Sequence, residues 1–139
     1  MPFFYYSNNH FILSKEKLVE APKTGEFINQ LPKDGIMSQI GYGQEIMYLT
    51  DKRVMALPIT PNYMFLIDKY NISYVLYGEF WSEPFENYTG HMFNYDTIKY
   101  IREHSEKFKL LNVIEETYPV KINGENKKDH IYIYEVMSN

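Results

Sequence analysis

Apolar residues along this chain come in short runs that switch between two spacings. Ile36 to Ile40 reads as a buried strand, Arg53 to Leu57 as a second strand ended by Pro58, and Ile72 to Tyr77 as a third, apolar on most positions and so buried on both faces. Between them the spacing becomes helical. In Pro61 to Lys69 and just beyond, Tyr63, Leu66, Ile67 and Tyr70 fall at i, i+3, i+4 and i+7. Phe27, Ile28 and Leu31 share one face of a short helix over Thr24 to Leu31, with Thr24 as its cap and Pro32 as its stop. Gly41-Tyr42-Gly43 turns into a further short helix from Gln44 to Leu49. Asp96 to Phe108 is strongly amphipathic, with Ile98, Ile101, Ser105 and Phe108 along one face.

The pattern then changes. Leu110 to Tyr118 and Asp129 to Val136 read as two strands joined through the polar turn Asn123 to Lys127, where Asn-Gly supplies the positive φ of a hairpin. A period of two sets Tyr132 and Tyr134 on one face and Ile131 and Ile133 on the other. Alternating strands and helices imply parallel pairing with right-handed crossovers. The expected fold is therefore α/β: a small three-layer Rossmann-like domain, its sheet mainly parallel with a C-terminal antiparallel hairpin. Residues 24–139 are expected to form one soluble domain. Residues 1–23 are read as a linker or tail following an excised membrane segment, in which Phe3-Phe4-Tyr5-Tyr6 is either a strand or the last apolar residues of that segment.

Composition narrows the chemistry. The 139 residues contain no cysteine, which excludes thiolate zinc sites, iron–sulfur clusters and a cysteine nucleophile. A net charge of −4 without a basic run argues against nucleic acid as a partner. No apolar stretch approaches the ~20 residues of a membrane span. Aromatic residues make up 17%, with 14 Tyr and 9 Phe. Most of that tyrosine suits a core and rim of amphipathic rings whose hydroxyls reach water.

Catalytic motifs are not visible. Gly41-x-Gly43 follows a strand and opens a helix, but Ile46 stands where a dinucleotide fingerprint needs its third glycine. His10, His91, His104 and His130 lie at no metal-ligand spacing from one another, so no metal and no cofactor is expected. The richest segment is the connection from Glu79 to Tyr95. It interleaves Glu79, Glu83 and Glu86 with Phe80, Trp81, Phe85 and Tyr88, beyond the carboxyl end of a strand, where α/β folds place their sites. Three readings stand side by side: a satellite cluster burying its own rings, a partner or membrane-surface contact, and a sugar site in which rings stack on C–H faces and acids accept hydroxyl hydrogen bonds. Asn71-Ile72-Ser73 and Asn87-Tyr88-Thr89 are sequons, making Asn71 and Asn87 candidate glycosylation sites, with Asn87 the better placed.

The order of phrases carries a resemblance. Leu31-Pro32, Ile36-Met37-Ser38, Tyr48 to Arg53, Leu57-Pro58, Tyr70 to Leu76 and Ile131 to Val136 are similar to the C-terminal extracytoplasmic domain of multi-pass membrane glycosyltransferases of the dolichyl-phosphate-mannose mannosyltransferase type, especially archaeal ones. The likeness runs from about Thr24 to Val136. It implies a non-catalytic accessory domain on the outer face of a membrane, which positions a lipid-linked sugar or acceptor or recruits a partner. Its partners would be the membrane helices of the parent protein and a glycan. The family's catalytic acids lie in an outer loop of the membrane region, so no catalytic residue transfers to this chain. The other readings are a free-standing α/β domain that binds sugar or another small molecule, and a small enzyme using the acids of the Glu79 to Tyr95 connection.

Overall fold

The computed structural model describes residues 21–38, 46–47, 49–57, 63–79, 95–122 and 124–138. Helix α1 is Pro22–Asn29, strand β1 Ile36–Ser38, β2 Val54–Ala56, helix α2 Tyr63–Lys69, β3 Tyr74–Gly78, helix α3 Tyr95–Glu103, β4 Phe108–Ile122 and β5 Glu125–Val136. The turn at Gly41 to Gly43 and the Phe3 to Tyr6 segment lie outside the described residues.

One five-stranded sheet has the order β2-β1-β3-β5-β4. β1 pairs in parallel with both β2 and β3, with Met37 opposite Met55 on one side and Val75 on the other. β5 then runs antiparallel to β3 and to β4. The parallel strands are only three to five residues long, while β4 and β5 span 15 and 12. The sheet is therefore mixed. The hairpin extends well past the expected strand ends, because polar residues on both arms still pair up to Ile122 opposite Glu125, with Gly124 at φ +84°.

Strand alternation sends side chains to two apolar clusters. Met37, Val75, Tyr77 and Tyr134 meet Ile67 of α2 and Ile98 and Ile101 of α3. Ile36, Tyr74, Leu76, Ile131 and Ile133 meet Ile28 of α1, with Ala21 and Ile46. Tyr134 and Ile133 thus face opposite ways, as the period of two requires. Each of these aliphatic side chains contributes on the order of 1.5–3 kcal/mol through burial.

Two helices differ from expectation. α1 starts two residues early, since Pro22 sits in its first turn, where a fixed φ and a missing N–H cost nothing. Thr24 is therefore inside the helix rather than its cap. Its backbone N–H donates to Glu116 Oε2 at 2.7 Å, so a strand residue 92 positions away satisfies the helix end. α3 ends at Glu103, not at Phe108. His104 stacks on Tyr100 at 3.7 Å between ring centroids, a turn follows, and Phe108 opens β4 opposite Val136. The apolar period continued past the helix because Phe108 joins the same core from a strand.

The turn before β1 binds the parallel strands together. Gly35 O accepts from Ser73 N at 2.8 Å and Tyr74 N at 3.1 Å, while Ile36 N donates to Arg53 O at 2.8 Å. Asp34 receives the Arg53 backbone N–H and its Nε, both at 2.7 Å.

Candidate functional site at the carboxyl end of β3

β3 ends at Gly78, and Glu79 carries the chain off the sheet. Alternation buries Tyr77 in the core. β5 lies beside β3 with Tyr132 opposite Tyr77 and Ile131 opposite Gly78, so His130 comes level with Glu79. β4 adds Glu115, directly across from His130. Three strands thus bring a carboxylate, an imidazole and a second carboxylate into one row. His130 Nδ1 lies 3.1 Å from Glu79 Oε2, and its Nε2 3.4 Å from Glu115 Oε2. The row is capped at both ends: Tyr132 OH donates to Glu79 Oε1 at 3.5 Å, and Lys128 Nζ reaches Glu115 Oε1 at 3.3 Å.

An aromatic layer supports it. Tyr77 stacks on Tyr132 and on Tyr134, with centroids 5.2 and 5.9 Å apart. Arg102 of α3 donates from Nε to Tyr77 OH at 2.9 Å and lies over the Tyr77 and Tyr132 rings, at 5.4 and 5.8 Å. Burial pushes the Tyr77 phenol well above the usual tyrosine range, and its bond to Tyr134 adds to this while Arg102 pulls the other way. Tyr132 is raised too, by burial first and then by the Glu79 charge. Glu115 is lowered, chiefly by the hydrogen bond from Lys128. These tyrosines remain phenols, and act as hydrogen-bond donors and stacking faces rather than as bases.

The acids and the imidazole are about half exposed, at 45–48% for their side chains. The arrangement offers a wet polar surface over a stacked aromatic layer, suited to binding polar groups. A second concavity of about 770 Å³ opens at the amino ends of β1 and β3, lined among others by Lys33, Arg53, Ile67, Lys107 and Met137. Its cations have internal partners: Arg53 holds Asp34, Lys33 holds Glu135 and Lys107 holds Tyr100 OH.

Of the residues singled out from sequence, Phe80, Trp81, Glu83, Phe85, Glu86, Asn87 and Tyr88 lie outside the described residues. Asn71 is described: it is exposed and adopts φ +52° just past α2. Sequence reasoning did not find His130, Glu115 or Lys128. Pairing counted back from the Asn123-Gly124 turn sets Glu115 opposite Tyr132. An irregularity between Thr117 and Lys121 moves it opposite His130 instead.

No protein-family model matches the sequence, and no curated protein matches it. Among solved structures the chain is similar to the C-terminal globular domain of an oligosaccharyltransferase from Archaeoglobus fulgidus. That likeness has a TM-score of 0.47 and 16% sequence identity, over 81% of this chain and 91% of the other. Among the described residues no helix is long and apolar enough to cross a membrane, and no group of acids and histidines is arranged to hold a metal ion.

Proposed function

We propose that this chain is a non-catalytic, outward-facing accessory domain of a membrane glycosyltransferase-like protein of the dolichyl-phosphate-mannose mannosyltransferase type, with a Rossmann-like arrangement of its parallel strands. The observation that carries the reading is where the resembling phrases fall. Ile36-Met37-Ser38 is β1, and Arg53 leads into β2. Tyr70 to Leu76 runs from the end of α2 into β3, and Ile131 to Val136 is the part of β5 that pairs with β3. Three of the phrases thus lie on the adjacent strands β1, β3 and β5.

The domain packs on the membrane helices of the parent protein and helps position a lipid-linked sugar or acceptor, or recruits a partner. The row Glu79–His130–Glu115 is its contact surface, and the candidate contacts Phe80, Trp81, Glu83, Phe85, Glu86 and Tyr88 belong to the same proposal. On an extracytoplasmic domain Asn71 and Asn87 are the acceptors for N-glycosylation, which intact-mass measurement of the native protein reads directly. The polar face over Tyr132 also supports the second reading, a free-standing sugar-binding domain, which requires the purified chain to bind glycans by itself.

The test compares membranes carrying the intact natural gene product with membranes in which residues 24–139 are deleted. Transfer from a lipid-linked sugar should fall on deletion, and the purified chain should show no turnover. Unchanged transfer, or turnover by the purified chain that is lost on mutating Glu83 or Glu86, contradicts the proposal.

A further inference from the structure

The concavity at the amino ends of β1 and β3 has a volume of about 770 Å³, within the range of small-molecule sites. Ile67, Ile72, Val136 and Met137 give it an apolar side. Of its charged side chains, Arg53 is taken up by Asp34 and Lys33 by Glu135. Asp68 and Lys107 remain, and among the described residues neither has an ion-pair partner. Lys69, next to Asp68, turns to aromatic rings instead, its Nζ 5.8 Å from the Phe65 centroid and 5.4 Å from that of Tyr70. Lys107 Nζ donates to Tyr100 OH at 2.9 Å, and this bond holds the ammonium above its usual range. A neutral phenol positions the ammonium without cancelling its charge. Asp68 lies in the last turn of α2, on the approach to β3, while Lys107 immediately precedes β4. β5 runs between β3 and β4, so two strand spacings, about 10 Å, separate the two lines of chain. An extended peptide of three residues spans about 10 Å as well.

We infer that this concavity binds a small zwitterion with an apolar body, of the size of an apolar tripeptide, whose cationic end meets Asp68 and whose anionic end meets Lys107. The apolar side receives the body, and the opposite charges set its direction. A ligand with two anionic ends is repelled by Asp68, and one with two cationic ends by Lys107. Arg53 and Lys33 take no part, because each already holds a carboxylate. Arg53 Nη1 also donates to Tyr70 O at 3.2 Å, which ties the end of α2 to the sheet and keeps Asp68 in place beside the opening. The site lies at the amino end of β3, away from the contact surface proposed at its carboxyl end, and stands independently of it.

The test is a backbone-amide NMR titration of the purified chain with the tripeptide Ala-Leu-Ala, its N-acetyl form and its C-terminal amide. The free tripeptide should shift the amides of Ser73 and Met137, which line the concavity. Acetylation removes the cation and amidation removes the anion. Each should weaken binding about two- to fivefold, the worth of an exposed ion pair. In Asp68→Asn, acetylation should have no further effect while amidation still weakens binding. In Lys107→Gln the two responses should exchange. Both variants keep the core intact, so each reports on its own charge. Absence of shifts at Ser73 and Met137 overturns the inference. So does equal affinity for the three peptides, or a variant that keeps the wild-type response to the modification matched to it.

Discussion

Gly35 adopts φ +86°, and a Cβ placed there would lie 2.6 Å from the backbone oxygen of Asn71. Its carbonyl meanwhile receives two N–H groups at the start of β3. Gly35→Ala should therefore cost about 2–3 kcal/mol in urea unfolding, through both the backbone angle and the collision. Gly124 has nearly the same φ but nothing within 4 Å, so Gly124→Ala should cost about 1 kcal/mol. The difference between the two separates backbone strain from packing. Beside Gly35, hydrogen bonds from the Arg53 backbone and guanidinium hold the Asp34 carboxyl at a pKa of about 2. A carboxyl lowered on folding stabilises above its unfolded value and loses that contribution as pH falls from about 4 to 2. Half exposure of the side chain limits the effect to about 1 kcal/mol or less. Asp34→Asn should flatten this acid limb while leaving the rest of the pH profile unchanged.

Two contacts fix where helices sit on the sheet. Glu116 is 2% exposed and accepts the Thr24 N–H, a group that α1 cannot satisfy itself. Glu116→Ala should cost about 2–3 kcal/mol by orphaning that donor and leaving a gap, while Glu116→Gln, which keeps an oxygen, should cost less than about 1 kcal/mol. On the other face Tyr77 OH joins Arg102 of α3 to Tyr134 of β5. Tyr77→Phe should cost about 1–2 kcal/mol, with amide exchange in α3 rising more than in β1. The strands and the Tyr132/Tyr134 face were legible in sequence because a period of two needs no tertiary information. The end of α3 was not, since Phe108 keeps helical spacing while serving the core from β4. The start of α1 was not either, because its end is satisfied by a residue 92 positions away that no local capping rule contains.

At the scale of the molecule, the parallel pairing of β1, β2 and β3 and the antiparallel hairpin follow from element alternation and one Asn-Gly pair, whereas the order that sets β5 rather than β4 beside β3 was not legible. The row of side chains at the carboxyl end of β3 was not either. Glu79 was visible as the start of an acid-rich connection, whereas His130 meets it through the β3–β5 pairing and Glu115 joins only through a register shift in the hairpin that no short-range pattern announces. The proposed outward-facing placement on a membrane is directly measurable, because these 139 residues contain no cysteine and one introduced here reports on this domain. Ser105 is exposed in the turn after α3. In the natural gene product Ser105→Cys should react with a membrane-impermeant maleimide in intact cells, to the same extent as after lysis and beyond the unmodified protein. Labelling that appears only after lysis would set the domain on the inner face and contradict the account.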